Sequence, residues 1–167
     1  MSDVFVAIVM GSDSDLPVMK SCTELLDKFG VKYEVRITSA HRTPEDTRDF
    51  VRDAEQRGCA VFIAAAGLAA HLAGAVAAQT VRPVIGIPID SGPLQGIDAL
   101  LSTVQMPGGI PVACVAIGKS GAKNAAYLAV QMLATNDDEL KLALEAERAA
   151  NAEAIRQKNR DLNLDAS

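Results

Sequence analysis

The chain has no tryptophan, two tyrosines and four phenylalanines, so it lacks the aromatic plates on which a flavin or successive nucleic-acid bases stack. Its three cysteines, Cys22, Cys59 and Cys114, lie far apart within apolar patterns. An odd, scattered set gives neither a disulfide framework nor a CxxC metal site and reads as core thiols in a reducing compartment. Also missing are a GxGxxG turn, a Walker loop, a Ser-His-Asp elbow and any cluster of metal ligands. Cofactor and metal chemistry are therefore not indicated, and the mechanism is expected to use side chains, backbone and substrate. Positive charge is short: 16 Lys and Arg against 21 Asp and Glu leave a net charge of −5, which argues against a broad nucleic-acid surface. The N-terminus lacks the basic region and apolar run of a signal peptide, so a cytoplasmic location is expected. The most apolar stretch, 60–81, is mostly Ala and Gly and carries His71 and Gln79. It reads as a buried strand followed by a small-residue helix rather than a membrane span.

No Pro/Gly/Ser-rich linker divides the 167 residues, and the length suits one domain with a tail. Residues 1–135 read as that domain and 136–167 as a helical arm, with eight acidic against five basic residues in 137–167. Val4 to Met10 is a continuous apolar run ended by Gly11, the pattern of a strand buried on both faces. Val18, Cys22, Leu25, Leu26 and Phe29 then recur at helical spacing up to Gly30. In the second strand Val31, Tyr33, Val35 and Ile37 alternate with polar residues. One wet face suits a sheet edge.

A second helix is marked by Phe50, Val51 and Ala54 and runs to Gly58. Val61–Ala65 is the third strand, and Gly67 to Thr80 reads as one helix of Ala, Gly and Leu whose small side chains invite close approach by a partner. Val84–Ile87 is strand four, a short helix is expected around Ile97 to Thr103, Val112 to Ile117 is strand five, and Ala122 to Ala134 its helix. Such alternation implies right-handed crossovers and a doubly wound, three-layer α/β fold, with a parallel five-stranded sheet in the flavodoxin-like order 2-1-3-4-5. Strand five would then be an edge with no polar face, a sign of cover by another subunit. The terminal helix, 137–160, has only a thin stripe of Leu140, Ala143, Leu144 and Ile155. It reads as an arm packing on a neighbouring protomer, against the alternative of a solvated helix.

In this architecture ligands bind at the rim formed by the carboxyl ends of the strands. Five stretches are expected there: 11–15, 38–43, 66–71, 88–96 and 118–121. The chain's two histidines, His41 and His71, both belong to them. Ser39-Ala40-His41-Arg42-Thr43-Pro44 sets an acid-base side chain beside a planar guanidinium. Thr43 is a fitting N-cap with Pro44 at the first helical position and Asp46 closing a capping-box-like turn. The helix start so formed is expected to attract an anion beside His41. Ser12 can hold a phosphate and Asp15 can accept from ribose hydroxyls, whereas Ser14 reads as a helix cap. Gly67, among Ala65, Ala66, Ala69 and Ala70, lets backbone N–H groups reach a compact planar group such as carbon dioxide, and the same run serves helix packing.

Five short motifs stand in register: Met10-Gly11-Ser12-x-Ser14-Asp15, the hexapeptide from Ser39 to Pro44, Ala69-Ala70-His71-Leu72, Ser102-x-Val104-Gln105-Met106-Pro107 and Ala116-Ile117-Gly118. Together they closely resemble the N5-carboxyaminoimidazole ribonucleotide mutase family of purine biosynthesis, from about Val4 to Leu133. The resemblance implies movement of a carboxylate from the exocyclic nitrogen of a ribonucleotide to ring carbon C4. It also implies a homo-octamer with sites built from several chains, and functional coupling to an ATP-dependent carboxyaminoimidazole ribonucleotide synthetase. Family binding positions fall on Ser12, Asp15 and Arg42, and the acid-base histidine on His41. Ser39 joins the phosphate contacts, and His71 is expected to orient the migrating carboxylate. Leu68 departs from the family's usual Gly, Ala73 from its frequent Pro, and Asp90-Ser91-Gly92-Pro93 is a variant loop. The rival direct carboxylase class typically has Lys at the position of Arg42 and lacks the Ala-Ala-His-Leu run. A receiver-type regulatory module would need an Asp after strand three, where Ala65-Ala66-Gly67 stands.

Overall fold

The computed structural model describes residues 4–162. Strand β1 (Phe5–Met10) is wholly buried and its alternate residues serve opposite layers, as the two-residue period of a strand requires. Val6, Ile8 and Met10 pack with Met19, Cys22 and Leu26 on one side. Phe5, Ala7 and Val9 pack with Phe50, Val51 and Ala54 on the other. Helix α1 (Leu16–Lys28) follows a single 3-10 turn at Asp13–Asp15 and ends before Gly30, whose φ of 65° suits a residue without Cβ. Then come β2 (Tyr33–Ile37), α2 (Pro44–Gln56), β3 (Cys59–Ala66), α3 (Leu72–Ala77), β4 (Val84–Pro88), α4 (Ile97–Val104), β5 (Ala113–Cys114), α5 (Gly118–Leu133) and α6 (Asp138–Asp161). The strands form one parallel sheet in the order β2-β1-β3-β4-β5, with Ile8 level with Val35 on one side and Ile63 on the other. The expected architecture and strand order are therefore present.

Three element boundaries differ from expectation. The segment 67–80 is not one helix: α3 covers six residues, because Leu68 adopts φ +55° and the chain turns tightly through Ala70 and His71 before the helix begins. Its small-residue surface is met from within the subunit, where the Met106 sulfur lies 3.3 Å from the place a Cβ on Gly74 would take. Strand β5 pairs over two residues instead of six. Ile89 sends its N–H to Ala66 of β3, so by alternation the polar groups of Pro88 face β5, and proline has no N–H to extend that ladder. Helix α5 begins at Gly118 rather than Ala122.

Burial pushes the Cys22 thiol up to about 12 and the Cys59 thiol to about 11, so both stay neutral inside the core. Helix α6 is capped by Asp137, whose carboxylate accepts from the N–H groups of Glu139 and Leu140 at 3.0 Å. It is pinned to its own subunit where Glu147 meets Lys28 at 2.5 Å and accepts from Tyr127 at 3.1 Å, and Leu144 is buried. From Arg148 onward every described residue of it is exposed. No helix among the described residues is long and apolar enough to cross a membrane.

Candidate active site

Loops after β1, β2, β3 and β4 close around a cleft of about 510 Å³ at the carboxyl ends of the strands. It is lined by Ser12, Asp15, Ser39, His41, Arg42, Gly67 and His71, all seven of the residues singled out from the sequence. The fifth expected stretch does not contribute. Gly118–Gly121 is the first turn of α5, and Gly121 is pressed so close to the Ala116 carbonyl that a Cβ there would lie 1.6 Å from the oxygen.

The loop after β2 is braced from beneath by hydroxyls. Thr38 and Thr47, both buried, meet at 2.7 Å, and Thr38 lies 3.3 Å from the Thr43 hydroxyl. The N–H of Ser39 donates to Thr43 Oγ1 at 3.0 Å and that of Thr43 to the Ser39 carbonyl at 2.9 Å. Thr43 is the N-cap residue of α2, as expected, but its hydroxyl is spent on this turn and makes no cap bond. The first turn of α2 carries Glu45 and Asp46, and none of its residues lines the cleft. The cleft wall on this side is formed by the loop residues Ser39, Ala40, His41 and Arg42. Ser39 Oγ accepts from the N–H of Arg42 at 3.1 Å and of His41 at 3.4 Å. The Arg42 guanidinium donates to the Gly11 carbonyl at 3.1 Å and approaches Ser39 Oγ at 3.5 Å. These contacts hold the fork in place and leave other N–H groups for an anion.

His41 Nε2 and His71 Nδ1 are 2.8 Å apart, with ring centroids 4.9 Å apart and planes at 80°. The two come from opposite sides of β1, on the loops after β2 and β3. One nitrogen must donate and the other accept, so the pair holds a proton between two groups able to exchange it.

On the β1 loop the cap is Ser12, not Ser14: the Ser12 hydroxyl accepts from the Ser14 N–H at 3.2 Å and meets the Ser14 hydroxyl at 2.9 Å. Asp15 is 5% exposed. Burial raises its carboxyl above the usual range, against a partial lowering by bonds from Ser14 and Ser12.

The glycine after β3 has a second reason to be glycine. A Cβ on Gly67 would fall 1.9 Å from the hydroxyl of Ser91, which brings the β4 loop to the cleft wall. Next to it Leu68, 51% exposed and in the left-handed region, lies over Gly92, where a Cβ would meet Leu68 Cδ2 at 2.5 Å. Ser91 and Thr38 lie in stretches expected at the rim, but the close approach of Ser91 to Gly67 and the Thr38–Thr47 brace escaped the sequence reading. Thr47 stands on the apolar side of α2 with Phe50, Val51 and Ala54, and a threonine among core positions is the signal that could have marked it.

The family model described as AIR carboxylase matches residues 5–154. The chain is 58% identical over 136 residues to an N5-carboxyaminoimidazole ribonucleotide mutase of Pyrococcus horikoshii, covering 81% of this chain and 76% of that one. It is 50% identical to the mutase of Vibrio parahaemolyticus over 150 residues, 90% of this chain and 93% of the other. Among solved structures, Treponema denticola PurE superposes with a TM-score of 0.87 at 31% identity, covering 96% and 99% of the two chains.

Proposed function

This chain belongs to the AIR carboxylase family, and we infer from its likeness to the mutases that it is an N5-carboxyaminoimidazole ribonucleotide mutase of de novo purine biosynthesis. It converts that substrate to 4-carboxy-5-aminoimidazole ribonucleotide.

Arg42, Ser12 and Ser39 hold the 5′-phosphate and Asp15 the ribose. Binding energy from these remote groups fixes the aminoimidazole ring against His41. His41 donates a proton to the exocyclic nitrogen as the N–C bond breaks, its electron pair stays on nitrogen, and carbon dioxide is released. Ring carbon C4 then attacks that carbon dioxide, and neutral His41 takes the C4 proton, so one proton leaves the histidine and one returns. The loop from Gly67 to His71 keeps the small molecule beside the ring, and His71 orients the carboxylate and holds His41 through the shared proton. The 2.8 Å approach of two imidazoles in the cleft that also holds Arg42 is the observation that supports this assignment.

The assembly is a homo-octamer in the cytoplasm, with residues 1–135 as the catalytic domain and 136–167 as an arm whose helix α6 packs on a neighbour, residues 1–3 and 163–167 lying outside the described residues. It works next to the ATP-dependent synthetase that makes its labile substrate. Supporting the assembly are exposed Ile97, Leu101 and Val104 at helical spacing on α4, the half-buried apolar strand β5, and Leu142 and Ile155 exposed on α6. Such apolar surface calls for cover, and the solution mass tests it.

The activity is tested by giving the protein N5-carboxyaminoimidazole ribonucleotide, or aminoimidazole ribonucleotide with bicarbonate, and following the C4-carboxylated product by ultraviolet absorbance. Turnover of the first alone at low bicarbonate is expected. Preference for the second would make it a direct carboxylase.

A further inference from the structure

A leucine at φ +55° is unusual, because its Cβ crowds the carbonyl oxygen there and glycine does not suffer this. Strained residues at functional sites point to a use for the side chain that the strain accommodates. Leu68 lines the cleft between Gly67 and Ala69. Its neighbours on that stretch of wall, Ala66, Gly67 and Ala69, carry a methyl group at most. The remaining lining includes the polar or charged Ser12, Asp15, Ser39, His41, Arg42 and His71, with Leu72, itself almost fully buried, as the other large apolar side chain. The isobutyl group stays half exposed and leans over Gly92, a glycine at φ +75° whose missing side chain makes room for it. It therefore bridges the loops after β3 and β4 at the apolar side of the cleft.

We propose that Leu68 is the retention residue of this enzyme: its side chain closes the wall beside the small-residue loop and keeps liberated carbon dioxide in the cleft until C4 captures it. The inference rests on the mutase reading. Each turnover contains an interval in which the N–C bond is broken and the C–C bond is not yet made. Carbon dioxide then either adds to C4 or escapes and hydrates, leaving aminoimidazole ribonucleotide behind. An apolar wall slows the entry of water and the exit of an uncharged, apolar molecule without touching the acid-base step.

The test is a single-turnover measurement with enzyme in excess over N5-carboxyaminoimidazole ribonucleotide, in carbon-13 bicarbonate with carbonic anhydrase. The wild type is expected to give product with unlabelled carboxylate and little aminoimidazole ribonucleotide. Leu68→Gly, which removes the backbone strain along with the side chain, is expected to raise both the aminoimidazole ribonucleotide released and the label in the product several-fold. Leu68→Met, which keeps apolar bulk, should behave as wild type. Should Leu68→Gly fail to fold, as read by its thermal midpoint, Leu68→Ala makes the same comparison. An unchanged partition in the folded small-residue variant overturns the role of Leu68 while leaving the mutase reading intact. A wild type that makes no product overturns the mutase reading itself.

Discussion

His41 and His71 touch nitrogen to nitrogen, Nε2 to Nδ1 at 2.8 Å, although thirty residues separate them in the chain. A contact of this length needs one N–H between the two rings, and it becomes repulsive when both are imidazolium. His41→Asn is expected to lower kcat by about 10²- to 10⁴-fold, the usual worth of a general acid-base group. Nucleotide affinity by calorimetry should change little. An equal loss in both would refute the acid-base role. His71→Asn should cost less and alter the shape of the pH–rate profile, which a merely structural histidine would leave unmoved.

Arg42 is fixed by the Gly11 carbonyl and the Ser39 hydroxyl. Lysine supplies the charge without the fork. Arg42→Lys is expected to raise KM by about tenfold, equivalent to about 1.4 kcal/mol, with kcat much less affected. Steady-state kinetics on the two proteins decide this.

Asp15 is the buried carboxylate of the cleft wall. Because burial raises its carboxyl above the usual range, the native chain holds that proton more tightly than the unfolded chain does. Its contribution to stability is therefore most favourable when protonated and falls as pH rises from the ordinary carboxylate range through the raised native value. Asp15→Asn should stabilise the fold near neutrality by about 0.5–2 kcal/mol while weakening ribose binding. Thermal midpoints at neutral and acidic pH should differ between the two proteins at the former and converge at the latter.

Gly67 and Ser91 share a space that fits only one side chain. Gly67→Ala places a methyl 1.9 Å from the Ser91 hydroxyl and 3.1 Å from its Cβ, and is expected to cost about 1–3 kcal/mol, as overpacking does. Ser91→Gly in the same chain should recover most of that. A denaturant series on the single and double variants reads the coupling, and additive effects would show that the two do not compete.

The sheet order was legible because β1 and β3 are apolar throughout while β2 alternates, and burial on two faces or one decides centre or edge. The candidate site residues were legible because a carboxyl-end loop is where this fold keeps its polar clusters. What the sequence hid had tertiary causes. The Ala-rich run from Gly67 has helical propensity along its length, but the approach of Ser91 and the left-handed turn at Leu68 override it until Leu72. Six apolar residues suggested a full fifth strand, yet Pro88 on the neighbouring strand withholds the donor that would have continued it. Thr43 looked like a helix cap and lies at the cap position, but its hydroxyl had a closer customer in the Ser39 N–H.

The position of β1 between β2 and β3 makes the ladder a ruler. The two strands that deliver the histidines stand two strand spacings apart, roughly 10 Å, and the imidazoles meet at 2.8 Å to close the gap. That separation is metered by backbone hydrogen bonds, which all side chains share. The core can therefore exchange one apolar residue for another over long divergence, as the 0.87 superposition at 31% identity illustrates, without resetting the distance between the two imidazoles.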